Sequence, residues 1–332
     1  MPRADCWRNK ALPEQRTEVL LAGPSRPVIA KGLAGFTVHR LPAAAHDTLL
    51  ASVSHVRAMA VTALIPVDDA LLARLPKLDI IASFGVGYDH IDAHAAARRG
   101  VIVTNTPDVL TEEVADTALG LLLCTVRELP QAERYLRAGK WLERHYPLSR
   151  ATLRNRTVGL VGMGRIGAAI ARRLEAFGLP IVYHARQPRP DVPYRHYPHL
   201  IEMARAVDTL MIIVPGGGAT KNMISAEVLE ALGPEGILVN VARGSVVDEP
   251  ALVEALRQRK ILAAGLDVFA NEPEVPAELL TMENVVLLPH LGSASVFTRE
   301  KMDQLVVDNI LAWAARKPPL TPVVETPWRG WR

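Results

Sequence analysis

Three side chains of complementary chemistry stand out in the carboxyl-terminal half of the chain. Arg243 offers a permanent cation, Glu272 a carboxylate and His290 an imidazole. Each follows an apolar run that is typical of a buried strand, at residues 236–241, 262–268 and 285–288. Because ligands bind at the carboxyl ends of the strands in a parallel sheet, we expect the three side chains to lie in one site. Such a group can bind a small anion and transfer a proton to or from it.

A glycine-rich turn, GMGRIG at residues 162–167, predicts a second site. It follows an apolar strand that ends at Val161 and precedes a helical segment over residues 168–177. A turn of this kind is weak evidence alone, but a strand before it and a helix after it are the context of a dinucleotide-binding turn.

The three glycines have separate roles in such a turn. Gly162 permits the tight turn, Gly164 lets the backbone approach a pyrophosphate, and Gly167 lets the helix pack closely on the strand. The backbone amides of Arg165 and Ile166 would then point at phosphate oxygens from the helix N-terminus.

The segment after the next predicted strand, residues 181–184, predicts which dinucleotide binds. A site for NAD usually has an Asp or Glu at this position to bind the ribose hydroxyls. Here residues 181–184 run into Ala-Arg-Gln-Pro-Arg, which contains no acid. Arg186 is the stronger candidate for binding a 2′-phosphate, Arg189 the weaker, and Gln187 lies between them. We therefore expect NADP(H) to be preferred, with NAD(H) possible; the alternative is that both arginines are ordinary surface residues.

Composition narrows the class of protein. With 332 residues, 49% hydrophobic and 22% charged, the chain is long enough for two globular domains. The net charge of +3 is small and its basic residues are scattered, so we expect no nucleic-acid partner. Cys6 and Cys124 give no disulfide framework. No group of His, Cys and Asp residues has metal-ligand spacing, so we expect no metal.

The order of apolar segments predicts an α/β protein with parallel sheets. Short apolar runs alternate with helical patterns from residue 18 to 104, and a second alternating series runs from 158 to 290. The helical segment 294–316 has an apolar face and should pack back on the first series. We therefore expect a substrate domain of residues 1–104 and 293–332, into which a dinucleotide-binding domain of residues 105–292 is inserted.

Residues between the two series predict how copies of the chain associate. Thr111 opens a long helix that Pro130 should bend or interrupt. Its run 115–126 is so apolar that we expect a subunit contact, and a homodimer through the 111–139 region. Segment 139–150 could reach a neighbouring subunit's cleft. The first 17 residues are polar and no apolar run reaches membrane-spanning length, so we expect a cytoplasmic protein without a membrane partner.

Four motifs in order, GMGRIG, NVARGSVVDEPAL, AAGLDVFANEP and LLPHLGSAS, resemble those of the D-isomer-specific 2-hydroxyacid dehydrogenase family, and within it the glyoxylate/hydroxypyruvate reductases. The resemblance covers residues 58 to 316. It implies a Rossmann domain inserted into a flavodoxin-like substrate domain, and NADPH-dependent reduction of a small 2-oxo acid such as glyoxylate or hydroxypyruvate to the 2-hydroxy acid.

The resemblance also implies roles for the opening residues. His290 would protonate the carbonyl oxygen as the hydride arrives, Glu272 would orient the ring and favour its protonated form, and Arg243 would bind the carboxylate and carbonyl of the substrate. The amides of Val86 and Gly87 would bind the substrate carboxylate, and Asp267 would bind the nicotinamide carboxamide.

Further residues are expected beside the cofactor. They are Pro215, Gly216, Val241 and Gly292. The Pro-Gly-Gly-Gly sequence at 215–218 replaces a more usual hydroxyl-bearing stretch of the family.

Two other functions stay open. One is reduction of bulkier aromatic 2-oxo acids such as hydroxyphenylpyruvate, because the residues around the substrate side chain cannot be identified from the sequence. The other is a dinucleotide-sensing scaffold resembling the corepressor branch of the family, although the chain has no obvious partner-binding extension.

Overall fold

The computed structural model describes residues 17–41 and 47–331, and the chain divides into two compact units. Unit 1 comprises residues 1–109 and 296–332, and unit 2 comprises residues 110–295. The chain thus passes between the units a few residues beyond the positions expected from the sequence. Cys6 and the other residues before Thr17 lie outside the described ranges.

Unit 1 is built on a parallel sheet with the strand order β2-β1-β3-β4-β5. This is the flavodoxin-like order. Its central strands are buried on both faces, as expected for a parallel sheet covered by helices. The strands are β1 (Glu18–Ala22), β2 (Thr37–Leu41), β3 (Ala58–Val61), β4 (Ile80–Ser83) and β5 (Ile102–Thr104), and the helices between them are α1 (Pro27–Gly32), α2 (Asp47–Ser52), α3 (Asp69–Ala73) and α4 (Ala93–Arg99).

Unit 2 is built on a parallel sheet with the order β12-β11-β10-β9-β6-β7-β8. The six strands other than β12 follow the Rossmann order, in which the chain reverses its direction across the sheet between β6 and β9. The strands are β6 (Val158–Val161), β7 (Ile181–His184), β8 (Arg195–Tyr197), β9 (Thr209–Ile212), β10 (Ile237–Asn240), β11 (Ala263–Leu266) and β12 (Val285–Leu287). The helices are α5 (Thr111–Arg127), α6 (Leu129–Arg137), α7 (Arg165–Ala176), α8 (Leu200–Ala206), α9 (Ala226–Leu232), α10 (Glu249–Arg257) and α11 (Ala277–Thr281).

The predicted interruption near Pro130 is confirmed. Helix α5 ends at Arg127, Glu128 has a left-handed backbone with φ 54°, and Pro130 lies in the first turn of α6. Proline is tolerated there because the first-turn amides have no acceptor within the helix. The apolar face of α5 packs on its own sheet, where Leu121 and Leu122 are fully buried. The apolarity of α5 is therefore satisfied within the protomer, and a subunit contact is not required to explain it.

The last helix, α12 (Val296–Ala314), packs in the core of unit 1. Val307 lies so close to Gly32 that a Cβ on the glycine would be 2.4 Å from Cγ1 of the valine. Trp313 donates a hydrogen bond from Nε1 to Asp79 Oδ2 at 3.1 Å.

The strand orders of the two units confirm the expected α/β fold with two parallel sheets. Within the described ranges, none of the helices combines the length and apolar character needed to cross a bilayer.

Candidate active site

His290 and Glu272 form a close pair in unit 2. His290 Nδ1 lies 2.6 Å from Glu272 Oε2, and both side chains are partly buried. The other carboxylate oxygen, Oε1, accepts a hydrogen bond from the backbone amide of Phe269 at 3.1 Å. Nε2 of His290 has no hydrogen-bond partner among the described residues, so it is available to a substrate.

The charge state of Glu272 follows from its surroundings. Burial alone would raise the pKa of this carboxyl group, but the hydrogen bond and charge of His290, the Phe269 amide and the positive charge of Arg243 together lower it below the ordinary value. Glu272 therefore stays ionised at neutral pH and can hold a proton on Nδ1 of His290. Arg243 is followed by Gly244, which packs against the Phe269 backbone, so the loops that carry the three predicted residues lie near one another.

Arg243 is positioned by a buried asparagine and a glycine. It follows β10, where Asn240 accepts a hydrogen bond from the Ala242 amide at 3.0 Å and donates one to the Arg243 carbonyl at 2.9 Å. A Cβ on Gly244 would lie 1.8 Å from the carbonyl carbon of Phe269, so only glycine allows the two loops to approach. Asn240 and Gly244 were not among the predicted residues.

Asp267 holds the loop that carries His290. Its carboxylate is 1% exposed and accepts hydrogen bonds from the amides of Leu291 at 2.7 Å and Gly292 at 2.9 Å. Its backbone carbonyl accepts from the His290 amide at 2.8 Å. Burial raises the pKa of this carboxyl group, and the two amides oppose that shift. His290 itself has a left-handed backbone, φ 52°, a strained conformation that such anchoring can maintain.

The glycine turn has the geometry of a dinucleotide site. Gly162 has φ 109°, and a Cβ there would lie 2.7 Å from the Ile213 carbonyl oxygen. A Cβ on Gly167 would lie 2.4 Å from the Gly162 oxygen, whereas Gly164 is exposed and faces open space. Helix α7 begins at Arg165, three residues earlier than predicted, so the Arg165 and Ile166 amides belong to its first turn. These first-turn amides and the open face of Gly164 fit a bound pyrophosphate.

The two candidate arginines differ in their surroundings. Arg189 pairs with Asp191 at 2.6 Å and donates from Nη1 to the Met163 carbonyl at 2.9 Å, which links it to the glycine turn. Arg186 is exposed, like the neighbouring Gln187, and has no ion pair within the part of the chain that the structure describes. A 2′-phosphate therefore meets no competing carboxylate at Arg186.

The loop after β9 lies beside the glycine turn, where the Rossmann sheet reverses its strand order. A Cβ on Gly162 would also be 3.1 Å from Val214 Cγ1, so the loop that continues with Pro215 and Gly216 starts next to the glycine turn. Thr220 closes this loop by donating its hydroxyl to the Pro215 carbonyl at 2.7 Å. Val241 follows β10 at the same sheet edge, and Gly292 is held by Asp267.

The predicted anion-binding loop lies in unit 1, after β4. The amides of Val86 and Gly87 donate to no acceptor among the described residues. The loop is held by the Thr106 hydroxyl, which accepts from the Gly85 amide at 2.9 Å, and by Asn105 Nδ2, which donates to the Val86 carbonyl at 2.9 Å. Free amides on a fixed loop can bind a carboxylate.

Two cationic side chains that were not predicted from the sequence lie against the aromatic ring of Phe84, at the start of this loop. The guanidinium of Arg26 lies 4.0 Å from the centre of the Phe84 ring, and that of Arg299 lies 5.2 Å from it. Asp303 forms an ion pair with Arg26. Because these residues come from three distant parts of the sequence, no local pattern could reveal the group.

Comparison with known proteins identifies similar chains over most of this length. Residues 119–292 match the profile of the NAD-binding domain of D-isomer-specific 2-hydroxyacid dehydrogenases. A glyoxylate/hydroxypyruvate reductase of Arabidopsis thaliana is 46% identical over 81% of this chain and 86% of its own length. A hydroxyphenylpyruvate reductase of Plectranthus scutellarioides is 45% identical over 85% of this chain and 90% of its own.

Among solved structures, an NADPH-dependent glyoxylate/hydroxypyruvate reductase from Sinorhizobium meliloti, in complex with NADP and malonate, is 53% identical. Its TM-score is 0.91, and the match covers 96% of this chain and 99% of that one.

Proposed function

The chain belongs to the D-isomer-specific 2-hydroxyacid dehydrogenase family and is an oxidoreductase, and we propose that it reduces glyoxylate and hydroxypyruvate to 2-hydroxy acids with NADPH. The product is the D-hydroxy acid where it is chiral. The observation that carries the proposal is the His290–Glu272 pair, in which Nδ1 is engaged at 2.6 Å and Nε2 has no partner in the part of the chain that the structure describes. A reductase needs such a proton donor at the carbonyl oxygen. The relatives named as glyoxylate/hydroxypyruvate reductases support the substrate class.

The chemistry divides between the cofactor and the side chains. When bound, NADPH supplies the hydride. Arg243 binds the carboxylate and carbonyl oxygens of the 2-oxo acid, which polarises the carbonyl bond. Protonated His290 donates a proton from Nε2 to the developing alkoxide, while Glu272 accepts a hydrogen bond from Nδ1–H throughout. Glu272 thereby fixes the orientation of the ring and stabilises its positive charge before the transfer.

NADP(H) is the preferred cofactor in this proposal, and NAD(H) stays possible. The glycine turn binds the pyrophosphate through the amides at the start of α7. Arg186 binds the 2′-phosphate, and Arg189 assists from its position against the Met163 carbonyl. The NADP complex of the S. meliloti relative supports the preference. Asp267 is already engaged by two amides, so we assign it first to anchoring the His290 loop and second to the nicotinamide carboxamide.

Oxidation of NADPH, followed by absorbance, tests the proposal. We expect turnover with glyoxylate and hydroxypyruvate, weaker turnover with pyruvate, and lower kcat/KM when NADH replaces NADPH. Turnover of none of these acids, nor of phenylpyruvate, would contradict the proposed activity and revive the scaffold function, which no observation favours at present.

A second substrate class has one specific observation in its favour. The relative named hydroxyphenylpyruvate reductase is about as similar to this chain as the reductase from A. thaliana. A higher kcat/KM for hydroxyphenylpyruvate than for hydroxypyruvate, measured with the same enzyme preparation, would favour this aromatic substrate.

We also propose a homodimer, now on a different observation. Apolar side chains are exposed between the start of α6 and residue 148 rather than on α5: Leu129, Leu136, Trp141, Leu142 and Leu148. Several exposed apolar side chains along one segment favour a contact surface, and they lie within the two regions predicted from the sequence, 111–139 and 139–150. Solution scattering tests the assembly, and a monomeric mass would contradict it. The cytoplasmic location stays a prediction that cell fractionation tests.

A further inference from the structure

Three side chains that the proposed reaction does not use meet at the amino-terminal edge of the unit 1 sheet. Glu18 is the first residue of β1, His39 lies within β2, and His55 lies between α2 and β3. Because β1 lies between β2 and β3, the carboxylate has one imidazole on each side. The register pairs Leu20 with His39, and Glu18 shares a face with Leu20, so the side chains of Glu18 and His39 project from the same face.

The contacts in this cluster converge on one atom. Glu18 Oε2 lies 2.6 Å from His39 Nε2 and 2.7 Å from His55 Nε2. The three potential ligand atoms all lie within 4.8 Å of one another. The side chains are 34%, 31% and 48% exposed, so a small ion can reach them from solvent.

We propose that Glu18, His39 and His55 bind a divalent transition-metal ion, with Zn²⁺ the best fit. Two imidazole nitrogens with one carboxylate oxygen are a ligand set that Zn²⁺ takes, and they disfavour Mg²⁺ and Ca²⁺, which prefer oxygen ligands. Tetrahedral Zn²⁺ with bonds of about 2.0–2.1 Å keeps its ligand atoms about 3.3 Å apart. The two contacts to Glu18, at 2.6 and 2.7 Å, must therefore lengthen by roughly 0.6–0.7 Å, a small rotation for partly exposed side chains. A water molecule completes the site.

The sequence did not predict this site, and the proposal departs from the expectation that no metal is bound. The three residues are 21 and 16 positions apart along the chain, a spacing that matches no metal motif. Strand order alone brings them together. The ion would tie β1, β2 and the segment before β3 to one another, so it would stabilise unit 1. Within that unit the Val86–Gly87 loop follows the opposite, carboxyl-terminal edge of the sheet, so we assign the ion no part in turnover.

The test is a Zn²⁺ titration of the chelator-treated full-length protein against a chromophoric chelator. We expect one tight equivalent for the wild type and a melting temperature that rises when Zn²⁺ is added. Loss of an outer-shell partner already weakens metal binding roughly 10–100-fold, so His39→Gln, His55→Gln and Glu18→Gln should each weaken it at least about 100-fold. The matched control is His94→Gln, an exposed histidine on α4 of the same unit, which should bind Zn²⁺ like the wild type.

Two further measurements keep the result interpretable. Melting temperatures of the metal-free variants show that each is folded, and NADPH oxidation by the metal-free wild type should equal that by the Zn²⁺-loaded protein. The proposal is overturned if the three variants retain the tight equivalent, if His94→Gln removes it, or if the wild type has none. Equal loss of metal by His39→Gln and His55→Gln, with unchanged turnover, supports it. Since this readout needs no substrate, failure of the proposed reaction would leave the result unaffected.

Discussion

His290 Nδ1 and Glu272 Oε2 are 2.6 Å apart, and the second oxygen of the same carboxylate is held by the Phe269 amide. The imidazole therefore cannot turn without breaking a charge-assisted hydrogen bond to a fixed partner. This contact leaves Nε2 as the only ring nitrogen that can donate to a substrate. The pair thus fixes both which atom transfers the proton and where that atom lies.

Removing the proton donor should abolish most turnover while leaving cofactor binding intact. We expect His290→Gln to lower kcat with glyoxylate by about 10²–10⁴-fold, the range of a general acid. Binding of NADPH, followed by its fluorescence, should be unchanged because the glycine turn and Arg186 are untouched. His94→Gln serves as the control. Normal kcat in His290→Gln would remove its assigned role.

The stability of the protein should report the His290–Glu272 pair through its dependence on pH. The folded state lowers the pKa of Glu272 below its ordinary value of 4.5, so the associated stabilisation is complete above that value and is lost as the pH falls through the lowered pKa. The difference in free energy of unfolding between the wild type and Glu272→Gln should therefore be constant near neutrality and shrink below about pH 4.5. Denaturant titrations at several pH values measure it. A difference in free energy of unfolding that grows as the pH falls would contradict this prediction.

Replacing Arg243 should mainly weaken the binding of the 2-oxo acid substrate. Arg243→Ala is expected to raise KM for glyoxylate by at least about tenfold, since a charge-assisted hydrogen bond contributes roughly 1.5–3 kcal/mol. Arg243→Lys keeps the charge but lacks the planar fork, so we expect only partial rescue. KM for NADPH is the internal control. If both variants kept the KM of the wild type, another group would bind the carboxylate.

The residues that do the chemistry could be predicted because each one follows an apolar run, and the ends of parallel strands share an edge. The residues that position them could not. Gly244 is required by the backbone of Phe269, which lies 25 residues away in sequence, and Asp267 shows its anchoring role only once its two amide partners are in place. Chain-distant contacts of this kind leave no local pattern.

The same limit applies to the fold. Strands β1, β4 and β6 could be predicted because they are continuously apolar and buried on both faces. Strand β2 is a polar edge strand with the sequence Thr-Val-His-Arg-Leu, and its side chains are mostly exposed, so no hydrophobic pattern marks it. Its position was missed, and with it the approach of His39 to Glu18.

Cofactor preference should depend more on Arg186 than on Arg189. Arg189 is already paired with Asp191, whereas Arg186 is exposed without an ion pair among the described residues. We expect Arg186→Asp to lower the ratio of kcat/KM for NADPH to that for NADH by at least about tenfold, through loss of one cation and repulsion of the 2′-phosphate. Arg189→Ala should lower it less. An unchanged ratio in Arg186→Asp would contradict the assignment.

Gly244 should tolerate no side chain. A Cβ would lie 1.8 Å from the Phe269 carbonyl carbon, so Gly244→Ala must push apart the two loops that carry Arg243 and Glu272. Overpacking of this kind costs about 1–3 kcal/mol or more, and we expect both a lower free energy of unfolding and a large loss of kcat/KM. Gly218→Ala is the matched control for stability, because nothing lies within 4 Å of a Cβ there. Equal stability of the two variants, measured by denaturant unfolding, would show that the loops can separate freely and that Gly244 does not position the site.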